Sequence, residues 1–104
     1  MGLFSKSKKD KGSPLSELKK YDKKAISYVV KRQGGEETIL GRQGAISVKD
    51  DEIIIVCNGS QALRVNTSGA VMATLMSGNG VDIKGTDSSG ESVHAIAYYS
   101  NLRQ

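Results

Sequence analysis

The chain predicts a mostly β fold, a small antiparallel β-roll or half-open barrel with one short N-terminal α-helix. Three observations lead there. From Ala25 onward the apolar residues fall in short runs rich in Val, Ile and Tyr, which suit strands better than helices. The runs are separated by Gly34-Gly35, Asp50-Asp51, Asn58-Gly59 and Ser77-Gly78-Asn79-Gly80, all turn-forming residues. Only one segment, opened by Ser13-Pro14, carries a helix-start signal.

That helix is expected from about Pro14 to Lys24, with Ser13 as N-cap and Pro14 in the first helical position. Leu15, Leu18 and Tyr21 recur every three residues on one face. Glu17 lies near the positive end of the dipole, and Lys19, Lys20, Lys23 and Lys24 lie near the negative end. Ala25–Lys31 is β-branched and aromatic and reads as a strand rather than a helical continuation. Glu37–Leu40 and Ala45–Val48 read as two further strands. Glu52–Cys57, continuously apolar from Ile53 onward, is expected to be the central strand, buried on both faces. Asn58-Gly59 then predicts a tight hairpin into Ser60–Val65, because a type I′ turn needs positive φ at both positions. Without a bulge, this pairs Cys57 with Ser60, Ile55 with Ala62 and Ile53 with Arg64. Ala70–Met76 reads as either helix or strand. Val81–Lys84 and Ser92–Tyr99 form a last hairpin across Gly85–Gly90. Consecutive hairpins are the economical topology, with the helix covering an open end or a sheet face.

The 104 residues make one domain. The expected division is a basic arm, residues 1–13, and a single β-rich domain, residues 14–104, with no internal repeat. No uninterrupted apolar run exceeds the five residues of Ile53–Cys57, against the ~20 that a membrane-spanning helix needs. One cysteine, Cys57, forbids an internal disulfide framework, and one cysteine with one histidine, His94, is too few for a zinc site. No metal and no cofactor is expected. Apolar Met1-Gly2-Leu3-Phe4 precedes the lysines, the reverse of a secretory signal, so a cytoplasmic chain is expected. The matches to a glycosylation sequon at Asn58 and Asn66 are set aside on that ground. Lys6 stands where a myristoylation signal wants Ser or Thr, and lipidation is not expected.

Charge is unevenly spread. Residues 1–32 hold ten basic and three acidic residues, a net +7; residues 33–104 hold five basic and eight acidic, a net −3. Leu3, Phe4, Lys6, Lys8, Lys9 and Lys11 are therefore the candidate anionic-surface contact, toward a peripheral membrane or a nucleic acid. The same composition also describes a solubilising tail.

Catalytic signatures fail one by one. Gly80 and Gly85 have phosphate-loop spacing, but Thr86 stands where the lysine must be. Gly78-Asn79-Gly80 begins a dinucleotide fingerprint and then meets Ile83 instead of glycine. His94 reads as a half-exposed strand residue and Cys57 as a small buried hydrophobe with an inert thiol. Glu36-Glu37 and Asp50-Asp51-Glu52 lack the alternate spacing of a calcium loop.

The reading is a small non-enzymatic binding or adaptor domain with an unidentified protein partner. A single-stranded nucleic-acid-binding small β-barrel is the alternative, and an enzyme using His94 with a carboxylate comes third. Against the nucleic-acid reading, Tyr98 and Tyr99 are adjacent and point to opposite faces of a strand, which does not by itself make a stacking platform. The segments Glu36–Gly41, Ile54–Gly59, Leu75–Val81 and Ala97–Tyr99 together resemble a group of small bacterial β-rich proteins. That resemblance spans about residues 21–103. It implies a bacterial, non-enzymatic domain and carries over no activity, cofactor or site residue.

Overall fold

The computed structural model describes residues 14–100. The arm, with Leu3, Phe4, Lys6, Lys8, Lys9 and Lys11, lies outside the described residues, as does Ser13. Helix α1 (Leu15–Lys19) is followed by strands β1 (Ala25–Gln33), β2 (Glu36–Val48), β3 (Glu52–Cys57), β4 (Ser60–Asn66), β5 (Val71–Thr74), β6 (Gly80–Thr86) and β7 (Ser92–Tyr99). They form one seven-stranded antiparallel sheet in the order β4-β3-β2-β1-β7-β6-β5. Five neighbouring pairs are consecutive hairpins. The sixth, β1 with β7, joins the two meanders, so β4 and β5 stand at opposite edges. The sheet curls until Val65 of β4 and Ala70 lie against Gly85 of β6, yet the edges do not pair. The result is a half-open roll.

The inner face is apolar: Ile26, Val29, Ile46, Val48, Ile53, Ile55, Leu63, Val65, Met72, Val81, Ile83 and Ala95 are all buried there. Leu18 and Tyr21 close one end, with the Tyr21 hydroxyl 2.8 Å from Thr74 Oγ1.

The helix is shorter than its lysines suggest. Pro14 is the N-cap, extended at ψ 154°, and its carbonyl accepts the Glu17 and Leu18 amides, so the helix starts one residue late. It ends early because the sheet takes over the backbone. The Lys23 amide donates to Ile46 O at 2.6 Å with φ at +69°, and the Asp22 carboxylate accepts the Val48 amide.

Glu37–Leu40 and Ala45–Val48 are not separate strands but parts of one 13-residue β2. Gly41 and Gly44 lie inside it because space there is short. A Cβ on Gly41 would come within 2.7 Å of Cys57 Cβ, and one on Gly44 would strike the Val56 carbonyl oxygen. The central strand is β1, not Glu52–Cys57. In β3 only Ile53, Ile55 and Cys57 turn inward, while Ile54 and Val56 face outward. Ala70–Met76 resolves as a strand, Val71–Thr74, running into a turn.

The Asn58-Gly59 hairpin is present, with φ of +52° and +80°. Cys57 faces Ser60 as expected, but the register then shifts between Ile55 and Val56. Ile55 therefore faces Leu63 and Ile53 faces Val65, in place of Ala62 and Arg64. The bulge keeps apolar partners together on the core face, and this outweighs regular pairing.

Candidate functional site

Electrostatics concentrates in the arm. Residues 14–100 contain ten basic and ten acidic residues, a net charge of zero, whereas residues 1–13 hold four lysines against Asp10, a net +3. Within the fold, Lys19 pairs with Asp50, Lys20 with Glu17, Arg32 with Glu37 and Arg64 with Glu52. The Arg64–Glu52 pair is bidentate, at 2.7 and 2.9 Å, and holds the Glu52 carboxyl below the usual range.

The C-terminal end of α1 meets the β5–β6 turn. Lys20, Tyr21, Lys24, Thr74, Gly78 and Tyr99 line a shallow groove there. Lys20 Nζ stands 5.6 Å from the centre of the Tyr21 ring, and Lys24 Nζ 5.3 Å from that of Tyr99. Tyr21 is sunk in the core and Tyr99 packs against it, so the rings hold the ammonium groups at the surface. Met76, between Thr74 and Gly78, is fully exposed at the tip of the turn.

A second surface lies on the outer face of the sheet. Tyr28 of β1 pairs with Tyr98 of β7, and their rings stack at 4.7 Å with 26° between planes. Beneath them Val30 and Ile96 are paired and buried although they belong to the outer face, with Ile39 exposed alongside. A groove of about 800 Å³ beside Tyr28 is lined by Ile26, Ser27, Arg42, Gln43, Gly44 and Asn58. Arg42 has no ion-pair partner among the described residues. Burial raises the Tyr98 hydroxyl above its ordinary pKa. As expected, Tyr98 and Tyr99 point to opposite faces. The sequence did not reveal that Tyr28, 70 residues earlier, supplies the second ring. Only the β1–β7 register brings them together.

His94 is half-exposed on the outer face of β7, with Nε2 2.9 Å from Asp82 Oδ2 on β6. A histidine and a carboxylate do meet, giving a base with an orienting acceptor. No nucleophile bonds to the ring among the described residues. Cys57 is buried against Gly41 and Gly44, and burial pushes its thiol pKa up, away from the reactive thiolate. Asp87 Oδ1 accepts the Ser89 and Glu91 amides, so its carboxylate ties the β6–β7 loop. Among the described residues no cluster of three His, Cys, Asp or Glu could hold a metal, and no helix is long and apolar enough to cross a membrane. In comparisons with known proteins, no family model, no curated protein and no solved structure matches the chain.

Proposed function

We propose that the chain is a small non-enzymatic binding or adaptor domain of the bacterial cytoplasm whose basic arm contacts anionic surfaces. The observation that carries this reading is the separation of charge: a balanced body, ten against ten, beside an arm of four lysines and one aspartate. Charges paired within a fold project a weak field, whereas an arm of like charges attracts anions over about a Debye length. Each lysine at an anionic bilayer contributes about 1 kcal/mol, so four give weak, salt-sensitive attachment to which Leu3 and Phe4 add an apolar share. The buried, free Cys57 suits a reducing compartment. The bacterial setting rests on the resemblance of the hairpin segments.

The test is co-sedimentation with anionic vesicles and a gel shift with single-stranded RNA, for the intact chain, the chain lacking residues 1–13, and Phe4→Ser. Deletion should abolish binding and leave the thermal midpoint nearly unchanged. Phe4→Ser should weaken vesicle binding only. An intact chain that binds neither at low salt refutes the proposal.

A second reading, single-stranded nucleic acid on the outer sheet face, is favoured by the Tyr28–Tyr98 stack beside Arg42. Under it, the truncated chain still shifts RNA and Tyr98→Ala removes the shift.

A further inference from the structure

We infer that the folded body adds a bilayer contact to that of the arm, one too weak to hold the chain on a membrane without it. The mouth between α1 and the β5–β6 turn docks on an anionic lipid surface, with Lys20 and Lys24 on headgroup phosphates and Met76 entering the interface. This rests on the proposed function and adds to it the residues of the body that dock.

Met76 carries the argument. Its relative exposure is 105%, whereas Ile39, the next most exposed large apolar residue described, stands at 46%. The turn is held by the Gly78 amide on Leu75 O at 2.8 Å and the Leu75 amide on Gly80 O at 2.9 Å. The methionine is thus presented on a fixed loop with no contact inside the fold. Thr74 and Gly78, on either side of it, line the same groove as Lys20 and Lys24.

The lining of that groove holds two cations and no acid. The nearby carboxylates are engaged. Glu17 forms an exposed i,i+3 pair with Lys20, a contact weak enough to exchange for a lipid phosphate, and Asp22 accepts the Val48 amide. An apolar tip beside ammonium groups is the arrangement that enters a headgroup region, apolar part inward and charge at phosphate level. A free phosphate or a nucleic acid would use the lysines and leave Met76 without a role. The arm joins at Pro14, the N-cap of α1. Ten residues separate Phe4 from that cap, a reach of up to about 34 Å.

The chain has no tryptophan, so Met76→Trp places a single indole at the tip. Its emission should shift to the blue with equimolar phosphatidylserine/phosphatidylcholine vesicles and not with phosphatidylcholine alone. In co-sedimentation, Lys20→Gln with Lys24→Gln should lower partitioning about 25-fold, about fivefold per lysine. Met76→Ser should lower it about five- to tenfold. These exposed positions leave the fold intact, which an unchanged thermal midpoint checks. If the chain sediments but the indole emission does not move, or these variants bind like the unaltered chain, the body contact is refuted. Deletion of residues 1–13 then decides the arm separately. A chain that stays in the supernatant at low salt overturns the inference, and the RNA gel shift then decides the arm.

Discussion

Gly44→Ala tests the reason given for the glycines inside β2. Gly44 pairs with Cys57 of β3, and a methyl there would strike the Val56 carbonyl oxygen and lie 2.7 Å from Cys57 Sγ and 2.9 Å from Cys57 Cα. Two of those obstacles are backbone and cannot rotate away, so β3 must move. Forced overpacking of this kind costs about 3 kcal/mol, a large share of the 5–15 kcal/mol of an ordinary domain. Gly85→Ala is the internal control. Its methyl would meet Ala70 Cβ at 3.4 Å and Val65 Cβ at 3.6 Å, ordinary contact distances. There the stiffer unfolded chain should contribute about 0.4–1 kcal/mol of stability. Urea unfolding measures both. With a slope of about 1 kcal/mol/M, the midpoint should fall by about 3 M for Gly44→Ala and rise by under about 1 M for Gly85→Ala. Equal midpoints for the two variants would falsify the claim that close approach, rather than a turn, requires Gly44.

Gly59→Val should destabilise by about 1–2 kcal/mol in the same assay; φ is +80° with open space around it, so the cost is conformational. An unchanged midpoint refutes the tight turn. Cys57 should label slowly with a thiol reagent in the native state and quickly in urea, and fast native labelling reopens the nucleophile reading. Its raised pKa has a second consequence. The contribution to stability is full below the unfolded thiol value of ~8.5 and is lost as pH rises toward the folded value, so Cys57→Ala should flatten that alkaline fall. Thr74→Val leaves the Tyr21 hydroxyl without its partner and should cost about 1 kcal/mol by thermal unfolding, while Tyr21→Phe in that background should cost little more.

The sequence announced its strands wherever local chemistry marked them. Asn58-Gly59 and Gly34-Gly35 turn where positive φ is needed, and both hairpins stand. The failures share a cause: long-range contact settles them. Gly41 and Gly44 look like turn residues until β3 is laid against them. The bulge at Ala62, opposite the Ile55–Val56 step, is set by which residues of β4 can face the core. Helix α1 stops at Lys19 because Ile46 and Val48 compete for the backbone and the Asp22 side chain. At the surface, the arm's charge was legible by counting. Met76 was hidden in a segment that reads as helix or strand, and Tyr28 with Tyr98 lacks any local signature. A signal for Met76 did exist: a methionine directly before Ser77-Gly78-Asn79-Gly80 has nowhere inward to go.

The pairing of β1 with β7 makes the centre of the sheet the last part a ribosome can complete. Ile26 faces Tyr99 and Lys31 faces Ala95, separations of 73 and 64 residues, while every other pair is a local hairpin. During synthesis β1 keeps one edge open until β7 has emerged, and closing that long loop sets the folding speed. The Ser100 amide bonds to Ala25 O, so the last described residue is tied to the first residue of β1. A circular permutant that joins Gln104 to Met1 and opens between Thr67 and Ala70 would run β5-β6-β7-β1-β2-β3-β4. Every strand would then follow its neighbour, with residues 100–104 and 1–24, helix α1 among them, connecting β7 to β1. Such a chain keeps all seven strands and every strand pairing, giving up the Ala70 amide bond to Thr67 O, and it should fold faster than the natural order.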